Sequence, residues 1–189
     1  MQGFERKAAY FTLRFDAETE RAVIDLWLAL ADEGIELVGL TGHRPHITVS
    51  AYETEEVELY VPLLEDFGSH TTRFPVRFGS VGVFLANGVV FLAPAVSDAL
   101  RAVHRSLLAQ FDGPGWPPVL HEELLPNRWV PHCTLVAGAD NGTDRSKHEP
   151  DKTDLTPQLA AGLGGGRDTW LNGFHRNNLH LLETTPGKL

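Results

Sequence analysis

The stretch Arg44–Glu53, RPHITVSAYE, decides how the rest of the chain is read. Side chains alternate across a β-strand with a period of 2. Ile47, Val49 and Ala51 therefore share one apolar face, while His46, Thr48, Ser50 and Tyr52 share the other. A second stretch, WVPHCTLVAG from Trp129 to Gly138, repeats the spelling Pro-His-x-Thr-apolar. There Cys133, Leu135 and Ala137 form the apolar set, and His132 and Thr134 stand together opposite it. The prolines in front, Pro45 and Pro131, suit the start of a strand, where a missing N–H is not required.

Working outward from the first motif, KAAYFTLRF (Lys7–Phe15) has the aromatic and β-prone content of a strand. Asp16 then reads as the N-cap of a helix. Val23, Trp27 and Leu30 recur in that helix at core-facing spacing, and Gly34 stops it. Beyond the motif, Thr54 is expected to cap a further helix, with Val57, Val61 and Leu64 as its buried stripe and Pro62 weakening its second half. RFPVRFGSVGVFLANGVVFLAP reads as strands, and Asn87-Gly88 is the pair wanted by a two-residue type I′ hairpin. A helix follows, with Val96, Leu100, Val103 and Leu107 on one face. Residues 112–119 form a Gly/Pro loop. After the second motif, residues 139–154 are polar and aperiodic and read as a mobile loop. A short helix in TPQLAAGLGGG and two closing strands, TWLNGF and NLHLLET, are expected after it. Each His-x-Thr strand thus follows a strand–helix unit, a weak internal repeat with a period of about ninety residues.

The bulk properties narrow the class. The chain has 189 residues, which suits a single domain or two small lobes sharing a core. Hydrophobic residues make up 42% and charged residues 22%, an ordinary globular balance. One cysteine, Cys133, excludes a disulfide framework and a Cys-rich zinc site, so a reducing cytoplasm is expected. No apolar run reaches the roughly 18 residues of a membrane span, and the start MQGFERKAAY has no apolar signal core. A net charge of -9 argues against a broad grip on long duplex nucleic acid, while leaving room for a small phosphate in a local positive pocket.

Two strands that each present an imidazole and a hydroxyl to one cleft would suit phosphoryl chemistry without metal. One neutral histidine takes a proton from water or a ribose hydroxyl, and the other, protonated, gives one to the leaving oxygen. Thr48 and Thr134 would hold the non-bridging phosphate oxygens. For His46 and His132 the plain alternative is an exposed strand histidine, and for the threonines simple β-propensity. The matched pair favours the functional role.

The motifs His46-Ile47-Thr48-Val49 and His132-Cys133-Thr134-Leu135 resemble the paired H-x-T-x motifs of the 2H phosphoesterase superfamily, nearest to its bacterial 2′-5′ RNA ligase-like (LigT-like) branch. The resemblance runs over most of the chain. It implies one α+β domain across residues 1–189, two-lobed, with pseudo-duplicated antiparallel sheets lining a central cleft and helices outside. It further implies hydrolysis of 2′,3′-cyclic phosphates, or processing of 2′-5′ phosphodiesters, on RNA ends or small nucleotides. His46 and His132 would be catalytic and Thr48 and Thr134 phosphate-binding. No cofactor and no metal are expected, and the chain is expected to be a monomer. Rival readings are a nucleotide- or RNA-binding module without turnover, a phosphodiesterase acting on ADP-ribose cyclic phosphate or a cyclic oligonucleotide, and a metallo-hydrolase.

Further candidate contacts each carry a plain alternative. Arg44 and Arg128 flank the motifs and would meet phosphate or base, unless they are solvated loop arginines. Trp129 and Tyr10 would stack a base, unless they pack in the core or between lobes. Tyr52, on the expected His46 face, would line the cleft or cap its end. His43 and His46 form an H-x-x-H, but on a loop entering a strand they do not share a face, so a metal is not expected. Asp140–Asp144, DNGTD, lacks the later glycine and glutamate of a calcium loop. Cys133 lies on the core face and reads as a small buried hydrophobe.

Overall fold

The structure is a computed structural model that describes residues 7–35, 43–54, 59–112, 115–136 and 177–188; residue 7 and residues 177–188 are described by their backbone alone. The expected loop at 139–154, the helix in TPQLAAGLGGG and the strand TWLNGF lie outside these residues.

Strand β1 (Lys7–Phe15) is followed by helix α1 (Ala17–Asp32). Asp16 caps the helix as expected, accepting from the Thr19 amide at 2.9 Å, and Glu18 and Glu20 sit at the positive end of its dipole. Val23, Leu26, Trp27 and Leu30 form its buried face. Gly34, at φ 80°, ends it: the amides of Gly34 and Ile35 bond back to the carbonyls of Ala31 and Leu30, a paired closure that needs a left-handed residue there.

The first motif strand, β2 (His46–Glu53), runs antiparallel to β1. Helix α2 (Val61–His70) follows. Pro62 stands in its first turn, where a missing N–H costs nothing, so it starts the helix rather than weakening it. Thr54 is therefore not its cap, and Val61 is exposed; only Leu64 of the expected stripe is buried among the described residues. β3 (Pro75–Val76), β4 (Phe78–Phe84) and β5 (Val89–Pro94) come next. The β4–β5 hairpin exists, but Leu85–Gly88 form a four-residue loop. The amides of Asn87 and Gly88 both bond to Phe84 O, and Gly88 takes φ 70°. The glycine thus ends the loop and is not the centre of a two-residue turn.

Helix α3 (Asp98–Gln110) is capped by Ser97, which accepts from the Leu100 amide. Val96 precedes that cap and is exposed, so the buried face is Leu100, His104, Leu107 and Leu108. The second motif strand is β6 (Cys133–Val136), and β7 (Asn177–Lys188) closes the fold. The strands form two sheets, β2-β1-β7-β3 and β4-β5-β6, with every pairing antiparallel. The run RFPVRFG crosses between them, β3 belonging to the first and β4 to the second. This is a mixed helix and antiparallel-sheet fold. One hydrophobic core joins both sheets, from Phe11 and Val49 to Leu92 and Leu135. No helix among the described residues is long and apolar enough to cross a membrane.

The repeat suspected from the motifs extends to backbone detail. β1–α1–β2 and β5–α3–β6 are both strand–helix–strand units whose two strands pair antiparallel. In β2 the register jumps so that Val49 has no partner between Thr48 and Ser50; in β6 it jumps over Leu135, between Thr134 and Val136. Both bulges fall on the residue after the motif threonine. A bulge re-aims the strand beyond it by one residue. This corrects one expectation: Ser50 and Tyr52 pair with Phe11 and Ala9 and lie on the core face, both fully buried. Tyr52 packs with Phe11, Tyr60 and Phe111 and lines no cleft.

Candidate active site

Each motif histidine is anchored in the same way. His46 Nδ1 lies 2.7 Å from the carbonyl of Arg44, and His132 Nδ1 lies 2.8 Å from the carbonyl of Val130. A carbonyl only accepts, so Nδ1 carries the hydrogen in both rings and Nε2 of the neutral form is the free base. The proline between ring and carbonyl explains the match. It holds the preceding residue extended and fixes its own φ, which brings the carbonyl two residues back to the imidazole.

The surroundings of the two rings differ. On β1 the alternation sends Ala9, Phe11, Leu13 and Phe15 to the core and leaves Tyr10, Thr12 and Arg14 on the other face. Arg14 is the cross-strand partner of His46 and Thr12 that of Thr48. Arg14 is only 7% exposed, so a buried cation stands beside the first histidine. His132 instead meets two aromatic rings, Phe84 edge-on at 4.8 Å and Phe91 at 5.2 Å. Phe91 is itself the cross-strand partner of Thr134.

Burial holds the pKa of both histidines below the usual 6.5, and the hydrogen bonds to Arg44 and Val130 act against it. His46 is lowered further by the positive charges of Arg14, His43 and His132. His46 and His132 are therefore in one electrostatic neighbourhood. A small pocket is lined by His43, Arg44, Pro45 and His46 from the first motif, Cys133 and Thr134 from the second, and Trp27. Cys133 is fully buried, and burial pushes its thiol up to about 12, opposed by a hydrogen bond with the His46 main chain. It is no nucleophile at neutral pH.

The other candidates are placed as follows. Arg44 forks onto Glu20 at 2.7 and 2.6 Å, and Arg128 pairs with Glu122. Both arginines are more than half exposed. Trp129 lies between the two halves: its Nε1 donates to Thr48 O at 3.1 Å, and one ring face is covered by His104 at 3.9 Å. Tyr10 keeps to the His46 face, with its hydroxyl 3.5 Å from His121 Nε2. Thr48 and Thr134 are partly buried. Among the described residues no group of three or more His, Cys, Asp or Glu side chains is arranged to hold a metal ion.

Arg14, Gly82, Phe84 and Phe91 were not singled out from the sequence. Arg14 was legible, as a charge in strict alternation with four apolar residues. Gly82 acts through Phe91. A Cβ on Gly82 would come within 2.4 Å of the Phe91 ring, so the glycine is what lets that ring lie over β4 and press on His132. Gly82→Ala is expected to lower stability by about 1–3 kcal/mol through overpacking. Chemical denaturation reads that loss, and the His132 ring resonances should shift in NMR spectra while those of His46 stay in place.

A protein-family model described as the 2′-5′ RNA ligase superfamily matches residues 38–158. No curated protein matches the chain. Two solved structures of Usb1 from Kluyveromyces marxianus are similar in fold. One has 12% identity, covers 98% of this chain and 98% of its own, and has a TM-score of 0.45. The other, with uridine monophosphate, has 16% identity, covers 97% and 98%, and has a TM-score of 0.46.

Proposed function

The chain belongs to the 2′-5′ RNA ligase superfamily, a family of 2H phosphoesterases, and from that premise we propose that it is a metal-independent phosphodiesterase of the LigT-like kind. Its substrates are 2′,3′-cyclic phosphates, or 2′-5′ phosphodiesters, of RNA ends or small nucleotides. The observation that carries this is the matched anchoring of His46 and His132, which leaves Nε2 of each ring as the working atom.

In the hydrolytic cycle, Nε2 of one neutral histidine takes a proton from water as its oxygen bonds to phosphorus. The bond from phosphorus to one ribose oxygen breaks, and Nε2–H of the other, protonated histidine supplies that oxygen's proton. A cyclic diester becomes a monoester with one water consumed, and solvent exchange resets both rings. Thr48 and Thr134 donate to the non-bridging oxygens, where charge builds in the transition state.

The test is turnover of 2′,3′-cyclic nucleotides and 2′-5′ oligonucleotides with EDTA present. Activity on either, undiminished by the chelator, supports the proposal. Binding without product selects the non-catalytic rival, and loss of activity in EDTA selects a metallo-hydrolase.

The pH dependence follows from the direction of the shifts. Catalysis needs one ring neutral and one protonated, and kcat/KM reports the free enzyme. Both pKa values are held below 6.5. The pair therefore holds a single proton only in an interval on the acid side of 6.5. The profile of kcat/KM is expected to be a bell with its maximum below pH 6.5. In kcat the alkaline limb should move to higher pH, because bound phosphate stabilises the imidazolium. A maximum of kcat/KM above pH 7.5 would contradict the assignment.

A further inference from the structure

Two tryptophans outside the His-x-Thr spelling each reach across to the opposite motif. Trp27, in the helix that follows β1, donates from Nε1 to the carbonyl of Thr134 at 3.1 Å. Trp129, three residues before His132, donates from Nε1 to the carbonyl of Thr48, also at 3.1 Å. The accepting atoms are equivalent, the carbonyl of the motif threonine just before the bulged residue. Among the described residues β2 and β6 are the outer strands of their sheets, so part of their main chain has no strand partner there.

Each indole is itself held. Trp27 is 8% exposed on the buried face of α1, which packs against β6 as well as β1. Trp129 lies flat on His104, at 3.9 Å and 5° between planes, and His104 Nε2 bonds the Leu124 carbonyl at 2.8 Å. α3, which carries His104, packs against β2. The bonds therefore run in both directions between the halves and end on the two residues that flank the reacting phosphate in the proposed mechanism.

We propose that Trp27 and Trp129 are positioning residues, a reciprocal pair of clamps that set where the two His-x-Thr strands stand relative to each other. Each acts through a threonine main chain and so through the placement of both the hydroxyl and the histidine two residues away. The kinetic side of this proposal rests on the phosphodiesterase reading; the structural side does not. Pairwise placement of reacting groups is where small displacements cost most, since a shift of about 1 Å can remove about 10²-fold in rate.

The test uses Trp27→Phe and Trp129→Phe in the full chain, which keep a ring and remove the N–H. Trp116→Phe serves as control, because Trp116 packs against Tyr60 and Phe111, away from both motifs. For a 2′,3′-cyclic nucleotide, kcat is expected to fall about ten-fold in each motif-linked variant, with KM nearly unchanged and the control like wild type. In amide NMR spectra the effect should cross over: Trp27→Phe moves Thr134 and its neighbours, and Trp129→Phe moves Thr48 and its neighbours. Unchanged kcat in both variants overturns the proposal, and so do amide changes spread over the whole chain. If wild type has no turnover, the phosphodiesterase reading fails by itself. The clamps are then judged by the crossed amide shifts alone, and shifts that do not cross in this way overturn them.

Discussion

His46→Ala and His132→Ala are each expected to lower kcat for a 2′,3′-cyclic nucleotide by about 10²- to 10⁴-fold, with KM changed far less. The loss falls on kcat because both proton transfers occur in the transition state, whereas ground-state binding of the phosphate rests on other donors. The double variant should be little worse than the worse single one, since two groups that act in one step are not additive. Both histidines are only partly buried and neither belongs to the hydrophobic core, so melting temperatures should stay close to wild type. The environments separate the two variants. His46 stands beside buried Arg14, and His132 is braced by Phe84 and Phe91. His132→Ala therefore also opens a gap against two aromatic rings and is expected to be the less stable of the pair. Turnover that survives either substitution would remove the acid–base mechanism.

Thr48→Val and Thr134→Val are expected to lower kcat by about 10²- to 10³-fold each, the range for losing one preorganised donor at a developing charge. Valine keeps the branched shape and the β-preference of threonine, so the backbone, the bulge after it and the crossed indole bonds should persist. Thr→Ser at either position keeps the hydroxyl and should retain most of the activity. Ser50→Ala is an informative contrast. By simple alternation Ser50 would share the face of Thr48, but the bulge at Val49 turns it into the core. No effect of Ser50→Ala on kcat would show the consequence of that register jump in solution. A loss as large as that of Thr48→Val would mean that the strand is not bulged as described.

The parts of this molecule that were legible in the sequence are those set by local rules. The Asp16 cap, the Gly34 stop and the α1 face of Val23, Trp27 and Leu30 follow from capping chemistry and helical periodicity, and the structure has them. The two motif strands and the burial of Cys133 follow from alternation. What was not legible depends on a partner. A bulge is a property of two strands, so the turn of Tyr52 into the core could not be read from β2 alone. The hairpin residues Asn87 and Gly88 were recognised, but whether they fill a two-residue or a four-residue loop depends on which residues pair across it. Val61 and Val96 fit a helical stripe numerically; they are exposed because their helices begin later than the stripes do. At the site, Arg14 was legible from its own strand, whereas the pressure of Phe91 on His132, and the indole bonds of Trp27 and Trp129, join residues far apart in the chain.

In the proposed mechanism one phosphate sits between His46 and His132. Titrating adenosine 2′-monophosphate into the protein while recording the long-range imidazole nitrogen correlations tests it most directly. Nε2 of both rings is expected to shift along a single one-to-one binding curve, with both Nδ1 atoms still protonated at saturation. Movement of only one histidine, or two curves with different midpoints, would contradict it.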